Sequence, residues 1–253
     1  MSNARNIASG AKFVDTAGDT MSGNLLLSSG SVGVGTTSPL RQLSALSTTG
    51  NAEVSLVSGT SNQCSILMGD GTTGTDIYKG YLQYDNNTDG MLIATNATSR
   101  INIDSSGRVT MPYQAYGEAE GNNSGLLTGF AANSNINWFT ANHLNGGMSF
   151  SNNGRFTVPV GGRYLINAQI YYYPSGSHTA HYALNLKRNG TVDNFVIDDH
   201  AETVSGNVDR TVQLNMMVRA SANDYFELSW GSNINGQFWR GADHNKFRIL
   251  LLG

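Results

Sequence analysis

The residues best suited to molecular recognition lie near the carboxyl end of the sequence. Residues 233–244 include Asn233, Asn235, Gln237, Phe238, Trp239, Arg240, Asp243 and His244. Aromatic rings stack on the apolar faces of sugars, while amide and guanidinium groups hydrogen-bond to hydroxyls. This mixture predicts a loop that binds a receptor, for which a surface glycan is one candidate. In the alternative interpretation, Phe238 and Trp239 anchor the loop to its domain or line a contact between subunits.

A second group of polar residues comes from two earlier loops. His178 and His181 are three residues apart, and Asp198, Asp199 and His200 are consecutive. Imidazole and carboxylate groups are frequent metal ligands, so a metal site is one interpretation. Loop histidines that face water are more common, and we therefore predict no metal. We expect the receptor-binding surface to extend to Tyr173, His178, Asp198, Asp199 and His200.

No motif in the sequence indicates catalysis. A Gly-x-Ser-x-Gly nucleophile elbow is absent, and Asp198 and Asp199 are sequence neighbours whose carboxylates should point apart. Gly33-x-Gly35 lacks the third glycine and the lysine of a phosphate loop, and residues 69–76 lack the spacing and the terminal Glu of a calcium loop. We predict turns at both places, with no catalytic residue and no cofactor.

The composition limits the kinds of molecule that we expect the chain to bind. Only 13% of the 253 residues are charged, against about 25% in typical domains, and the net charge is −3. Without a basic field to attract phosphates, we predict no nucleic-acid partner. No stretch approaches the roughly 18 consecutive apolar residues of a membrane span, so we predict no membrane insertion. The one cysteine, Cys64, cannot form an intrachain disulfide.

The front of the sequence predicts a connector and a stalk. Residues 1–31 are small and polar, whereas residues 32–112 carry short apolar patches at 32–35, 54–57, 66–68, 81–84, 91–93 and 101–103. Each patch predicts a short β-strand between turns. A single strand buries too few apolar side chains to offset the ordering of its backbone, which costs about 1–2 kcal/mol per residue. We therefore expect the stalk strands to interweave with copies of the same chain.

Residues 113–253 are predicted to form an antiparallel all-β head. Apolar residues alternate with a period of two in 164–172, 182–186, 212–218, 226–230 and 247–251. That period is typical of strands with one buried face, and no segment of helical period separates them. Residues 156–158 and 195–197 are candidates for a sixth and a seventh strand.

The predicted connections between the head strands alternate in length. Asn189-Gly190, residues 221–223 and the residues before Gly162 form short turns, whereas the connections near 174–181, 198–208 and 231–245 are long. If successive strands run up and down, the long loops collect at the end opposite the carboxyl terminus. One end of the head is then scaffold, and the other is elaborated for binding.

The head contains a phenylalanine-led strand with Val158-Pro159, a Gly-x-Tyr strand start at Gly162, a strand ending in Asn189-Gly190, and an apolar strand at 247–252. In this order they resemble the globular heads of the complement component one q and tumour necrosis factor superfamily. The resemblance covers residues 120–253 and implies a jelly roll that assembles as a tight trimer. The sequence departs from that family in a long polar stretch at 113–154, where the first strands should lie.

Three phrases occupy the front half: DTAGDTMSGNL at 15–25, VGVGTTSP at 32–39 and RINIDSSGRV at 100–109. They look like phrases that recur in bacteriophage tail-fibre proteins. With the head, they imply a non-enzymatic, homotrimeric fibre that is made in the host cytoplasm and acts outside the cell as part of the virion. Phe13, Val14, Met21 and Leu25 would attach it to other virion tail proteins, and the head would contact a host-surface receptor.

The predicted fold is all-β, with a connector at 1–31, an interwoven trimeric stalk at 32–112 and a jelly-roll head at 113–253. Two other functions stay open at this stage. The head could bind another virion protein, which would make the chain a connector or cap within a composite fibre. It could also be a weak polysaccharide depolymerase.

Overall fold

The structure of the 253-residue chain is a computed structural model. It describes residues 31–34, 36–123, 125–172, 182–198, 210–231 and 236–253. The chain divides into two compact units, Met1–Val57 and Ser58–Gly253. This division falls within the segment that the sequence assigns to the stalk.

The described part of the first unit contains a small parallel pair of strands. β1 (Val32–Val34) pairs with β2 (Leu43–Ala45). The strand predicted at 54–57 is wrong, because no strand lies between Ala45 and Gln63, a stretch in which every residue is described. Val54 and Val57 are 75% and 88% exposed, so this apolar patch has no sheet to join.

Five strands at the start of the second unit form an antiparallel meander. They are β3 (Gln63–Met68), β4 (Gly80–Asp85), β5 (Gly90–Thr95), β6 (Thr98–Ile103) and β7 (Val109–Thr110). Each strand pairs with the next one in the same chain. The strands predicted at 66–68, 81–84, 91–93 and 101–103 are confirmed.

The connection between β3 and β4 is a polar turn followed by a 3-10 helix, Gly74–Tyr78. Nζ of Lys79 lies 2.9 Å from Oδ1 of Asp76, so a lysine neutralises a carboxylate in this connection. Within the described residues, no helix has the length and apolar character needed to cross a membrane.

The head is built from the strands that follow the meander. These are β8 (Tyr116–Gly121), β9 (Leu126–Phe130), β10 (Phe139–Asn145), β11 (Ser149–Ser151), β12 (Arg155–Thr157), β13 (Gly162–Tyr172), β14 (Tyr182–Arg188), β15 (Thr191–Asp198), β16 (Arg210–Ala220), β17 (Tyr225–Trp230), β18 (Gly236–Trp239) and β19 (Lys246–Leu251). The five alternating strands predicted from the sequence, and the two further candidates, are all present.

These strands form a jelly-roll β-sandwich. One sheet has the order β10-β8-β19-β13-β16, with β18 and β9 added beside the end of β13. The other has the order β11-β12-β17-β14-β15. All of these pairs are antiparallel, and the chain crosses between the sheets after β10, β12, β13, β15, β16 and β17. This is the antiparallel two-sheet architecture expected from the sequence.

The core lies between the two sheets. Alternate residues of β13 point inward, and Tyr164, Ile166, Ala168 and Ile170 are all fully buried. They join inward residues of the facing sheet in one cluster, including Phe156, Leu184, Phe226, Leu228 and Trp230. Each large apolar side chain contributes about 1.5–3 kcal/mol when it is fully buried. This contribution offsets the conformational entropy that a long strand loses on folding.

The polar stretch at 113–154 supplies the first strands of the sandwich. In β8, the inward positions are Gly117, Ala119 and Gly121, all buried. A Cβ on Gly117 would lie 2.4 Å from the ring of Phe156, so the sheets approach too closely there for a side chain. The buried face of β8 therefore consists of small residues, and its alternation does not stand out as an apolar pattern.

Candidate functional site

The long connections of the head leave from one end of the sandwich. Tyr172, the last residue of β13, pairs with Arg210, the first residue of β16, and with Phe238 of β18. At the same end, Tyr182 pairs with Asp198. The connections at 173–181, 199–209 and 231–245 thus start together, as the sequence predicted. We call this the loop end.

The short turns lie at the other end, which we call the base. Gly162 pairs there with Ala220, and the amide N–H of Asn189 donates to the carbonyl of Tyr225 at 3.0 Å. The side-chain amide of Gln114 donates to the carbonyl of Leu251, so the head also begins at the base. The loop end therefore lies at the far side of the head from the point where the preceding segment joins it.

Several predicted residues lie outside the described residues. In the head these are Tyr173, His178, His181, Asp199, His200, Asn233 and Asn235, and in the connector they are Phe13, Val14, Met21 and Leu25. Asp198 is described only as the last backbone position of β15. Within the described ranges, no group of three or more His, Cys, Asp or Glu side chains could hold a metal ion.

Phe238 belongs to the core and not to the binding surface that the sequence assigned to it. It is fully buried, with ring centroids 4.9 Å from Trp230, 5.0 Å from Trp138 and 5.6 Å from Tyr172. The connection at 231–245 is accordingly not all loop, because residues 236–239 form β18, which pairs with β9. The alternative interpretation, in which this phenylalanine anchors the segment, is the correct one for Phe238.

Trp239 points the other way. Successive residues of a strand face opposite sides, so the burial of Phe238 directs Trp239 outward. Its exposed fraction is 39%, and it lies at the point where β18 ends and the final turn begins. Gln237 also faces outward and is half-buried.

The turn at 240–245 is held by one buried side chain. Asn245 is fully buried, and its Nδ2 donates to the carbonyls of Trp239 at 2.6 Å and of Gly241 at 3.0 Å. Its Oδ1 accepts the amide N–H of Tyr171 at 3.0 Å. One amide therefore ties both ends of the turn to the neighbouring strand β13. Because the turn is already held rigid, it would lose less conformational entropy on binding a ligand.

Gly241 lies between two side chains that carry ring nitrogens. A Cβ at this position would lie 3.1 Å from Nε1 of Trp239 and 3.7 Å from Nδ1 of His244. The His244 ring also meets the ring of Tyr171 edge to face, with centroids 4.7 Å apart. The turn thus groups an indole, an imidazole and a phenol, and a larger residue at 241 would displace the indole.

Two charged residues complete this surface, which we call the Trp239 turn (Tyr171 and residues 239–244). Arg240 is half-buried, and its Nε, like Nδ1 of His244, is buried without a hydrogen-bond partner among the described residues. Asp243 is exposed at the tip. A buried polar atom that lacks a partner typically costs about 1–3 kcal/mol, so these two nitrogens lower the stability of the turn.

A second surface is the outward side of the sheet β10-β8-β19-β13-β16, which we call the outer sheet face. At the base edge it carries the exposed pair Arg163 and Arg219, followed by an apolar patch in which Leu165, Met217 and Leu252 are exposed at 38%, 70% and 48%. Further along, the side chains of Asn167 and Asn215 hydrogen-bond across β13 and β16. The next pair, Gln169 and Gln213, does the same at 3.2 Å.

Ion pairs cross the same face. Nε of Arg248 lies 3.1 Å from Oε2 of Glu118, and Tyr116 donates its hydroxyl to the same carboxylate. Hydrogen bonds from Arg248 and then Tyr116 lower the pKa of Glu118 to about 2. Burial, followed by the hydrogen bond to Glu118, raises the pKa of Tyr116 to about 12. This part of the face therefore stays charged and paired over the neutral range.

Among known proteins, the chain matches solved structures. No protein-family model and no curated protein matches the chain. The chain is similar to the structure of Eiger TNF from S. frugiperda, with 16% sequence identity and a TM-score of 0.45. The match covers 55% of this chain and 93% of that one.

Three residues that build or support the Trp239 turn, Tyr171, Gly241 and Asn245, are not among the predicted receptor-binding residues. Tyr171 has a detectable signal, because its neighbours Ile170 and Tyr172 fit the buried period of β13 and leave it facing outward. Asn245 and Gly241 have no comparable signal. Their roles arise from contacts with β13 and with side chains of the turn itself, which appear only once the turn has formed.

Proposed function

We propose that this chain is a non-enzymatic, homotrimeric bacteriophage tail-fibre protein whose head contacts the host bacterial surface through the loop end. Residues 1–31 would attach it to other virion tail proteins, and 32–112 would form the stalk. The receptor would be a surface glycan. The fibre-like phrases and the jelly-roll head motivate this assignment.

The observation that carries the proposal is the Trp239 turn. It offers an exposed indole beside an imidazole and a phenol, with Arg240 and Asp243 next to them. Such a surface suits a sugar, because a ring face covers the C–H groups while nearby polar groups bond to hydroxyls. Its position at the far end from the base suits a tip that meets a cell.

The outer sheet face supports the trimeric part of the proposal. Exposed apolar residues near the base, above all Met217 at 70%, would be covered by a neighbouring copy. The paired amides and ion pairs further along keep their partners within one chain, so they could enter a contact without leaving unpaired charges. Three tips on one fibre would then bind more tightly than one, because the first contact raises the effective concentration of the other two tips at the surface.

Trp239→Ala tests the proposal on an array of purified bacterial surface polysaccharides. The full-length chain should bind a subset of the array, and the variant should lose about thirtyfold in affinity on that subset. This corresponds to the roughly 2 kcal/mol expected of an aromatic hot spot.

Tyr113→Ala is the matched control, since Tyr113 is an aromatic residue exposed at 53% at the base. It should bind as the unmodified chain does. If Trp239→Ala also binds unchanged, the Trp239 turn is not the receptor site.

A further inference from the structure

One face of the meander is apolar and uncovered. The register places Ile66, Leu82 and Ile93 in one cross-strand row with Ile101, and Tyr84 and Met91 in the next row with Ile103. Directly paired residues point to the same side of a sheet. Ile66, Leu82, Tyr84, Met91 and Ile93 are exposed at 52%, 37%, 37%, 39% and 43%, and Val109, opposite Ile103, at 59%. We call these residues the meander face.

The two sides of this sheet differ in polarity and cover. On the five strands, the only charged side chain that reaches the meander face is Arg100, in the bulge of β6, whose Nε donates to Oγ1 of Thr95 at 3.0 Å. On the opposite side, Gln83 and Ala94 are only 8% and 3% exposed. The cores of protein interfaces are depleted in charge in the same way. A side this rich in apolar residues is costly in water and is expected to be covered.

The size of the face fits contact with another copy. Four strands of six residues at about 4.8 Å spacing and 3.4 Å rise cover roughly 20 Å by 20 Å, or about 400 Å². The outer sheet face, five strands wide and about eight residues long on average, adds roughly 24 Å by 28 Å, or about 670 Å², by the same measure. Together they reach the roughly 800 Å² per partner of a specific interface, whereas either alone falls short.

We propose that the meander faces of three copies pack against one another around a common axis and form the core of the stalk. The occupant of each face is the same face of a second copy. Because the meander strands already pair within one chain, the copies associate side by side as preformed sheets instead of exchanging strands. This inference rests on the proposed trimer and names the surface that builds its stalk.

Cys64 provides a direct probe of this packing. It is the only cysteine in the chain, and its register opposite Tyr84 puts it on the meander face. In a closed rotational assembly, the Cys64 residues of the copies lie at the same height around the axis. A short bismaleimide should therefore link the unmodified full-length chain into covalent dimers, and Cys64→Ser should abolish the product.

Two neighbouring substitutions separate the meander face from the other side. Ile66 and Leu67 are each 52% exposed, but Ile66 pairs with Leu82 on the meander face and Leu67 with Tyr81 on the opposite side. Ile66→Asp would place a charge in the contact, and cross-linking should fall at least tenfold. Leu67→Asp adds the same charge outside it, and cross-linking should stay unchanged.

Two results would contradict the proposed packing. An unmodified chain that gives no covalent dimer, or equal cross-linking in the two Asp variants, would overturn the packing. Array binding is measured separately, so a cross-linked stalk that binds no polysaccharide would reject the receptor function and leave this packing intact.

Discussion

Two adjacent aromatic residues have opposite environments at the loop end. Phe238 fills a cluster with Trp138, Tyr172 and Trp230, whereas Trp239 is 39% exposed beside a rigid turn. The sequence could identify the pair as important, but it could not show which of the two rings faces the core and which faces the solvent. The assignment depends on β18 pairing with β9 and Tyr172, which are distant in sequence.

Phe238→Ala and Trp239→Ala should separate stability from binding. Removing the buried ring should lower the free energy of unfolding by about 3–5 kcal/mol, because it leaves a cavity among three other rings. Trp239→Ala should cost less, since part of its ring already faces water. Denaturant midpoints of the two variants measure the difference, and equal losses would mean that Trp239 is as much a core residue as its neighbour.

At the scale of the strands, the sequence predicted best where buried apolar residues alternate with outward, mostly polar ones. The inward residues of β13, β17 and β19 were all identified from their period of two, and Asn189-Gly190 forms the expected tight turn with φ of 52° and 82°. Residues 54–57 show where this prediction fails. An apolar pattern forms no strand when it has no neighbouring strand to pair with.

The first strand of the head, β8, is the opposite case, a strand whose sequence has no apolar pattern. The inward side of β8 is Gly117, Ala119 and Gly121, because a Cβ at 117 would meet Phe156 and a Cβ at 121 would lie 2.1 Å from the carbonyl oxygen of Arg240. Their small size is a consequence of tertiary contacts. Reading hydropathy along one segment cannot reveal it.

The pairing of β8 with β19 predicts a specific loss of stability in acid. Since the pKa of Glu118 is lowered to about 2 in the folded state, its carboxylate stabilises the fold at neutral pH. That stabilisation should decline as the pH falls from about 4.5, the ordinary value, towards about 2. Denaturant unfolding of the unmodified chain at pH 7, 4 and 3 measures the decline.

Glu118→Gln isolates this contribution from the other carboxylates. The variant should be less stable than the unmodified chain at pH 7, and the difference should shrink as the pH falls, because protonation removes the same charge that the substitution removes. A difference that stays constant from pH 7 to pH 3 would show that the pair with Arg248 does not carry it.

The two ends of the head are built differently, and no single strand shows this difference. The described strands place the short turns and the beginning of the head at the base, and the long connections at the loop end. Alternating connection lengths made this division predictable. The surfaces proposed for assembly were not, because the meander face depends on the register of its strands and the outer sheet face on strands that are distant in sequence.

The proposed assembly also explains how a chain with 13% charged residues can expose so much apolar surface. Residues such as Met217 on the outer sheet face and Ile66 on the meander face would both be covered in a trimer. A monomer would leave both faces in water, where patches of this size are uncommon.

The central claim is that a trimer binds a bacterial surface through the loop end, and one measurement tests it most directly. The mass of the purified full-length chain is determined by light scattering, and the same preparation is titrated onto intact host cells. The account predicts a trimer that binds saturably, with Trp239→Ala equally trimeric but much weaker on cells. A trimer that ignores the cells, or binding that is indifferent to Trp239→Ala, would contradict it.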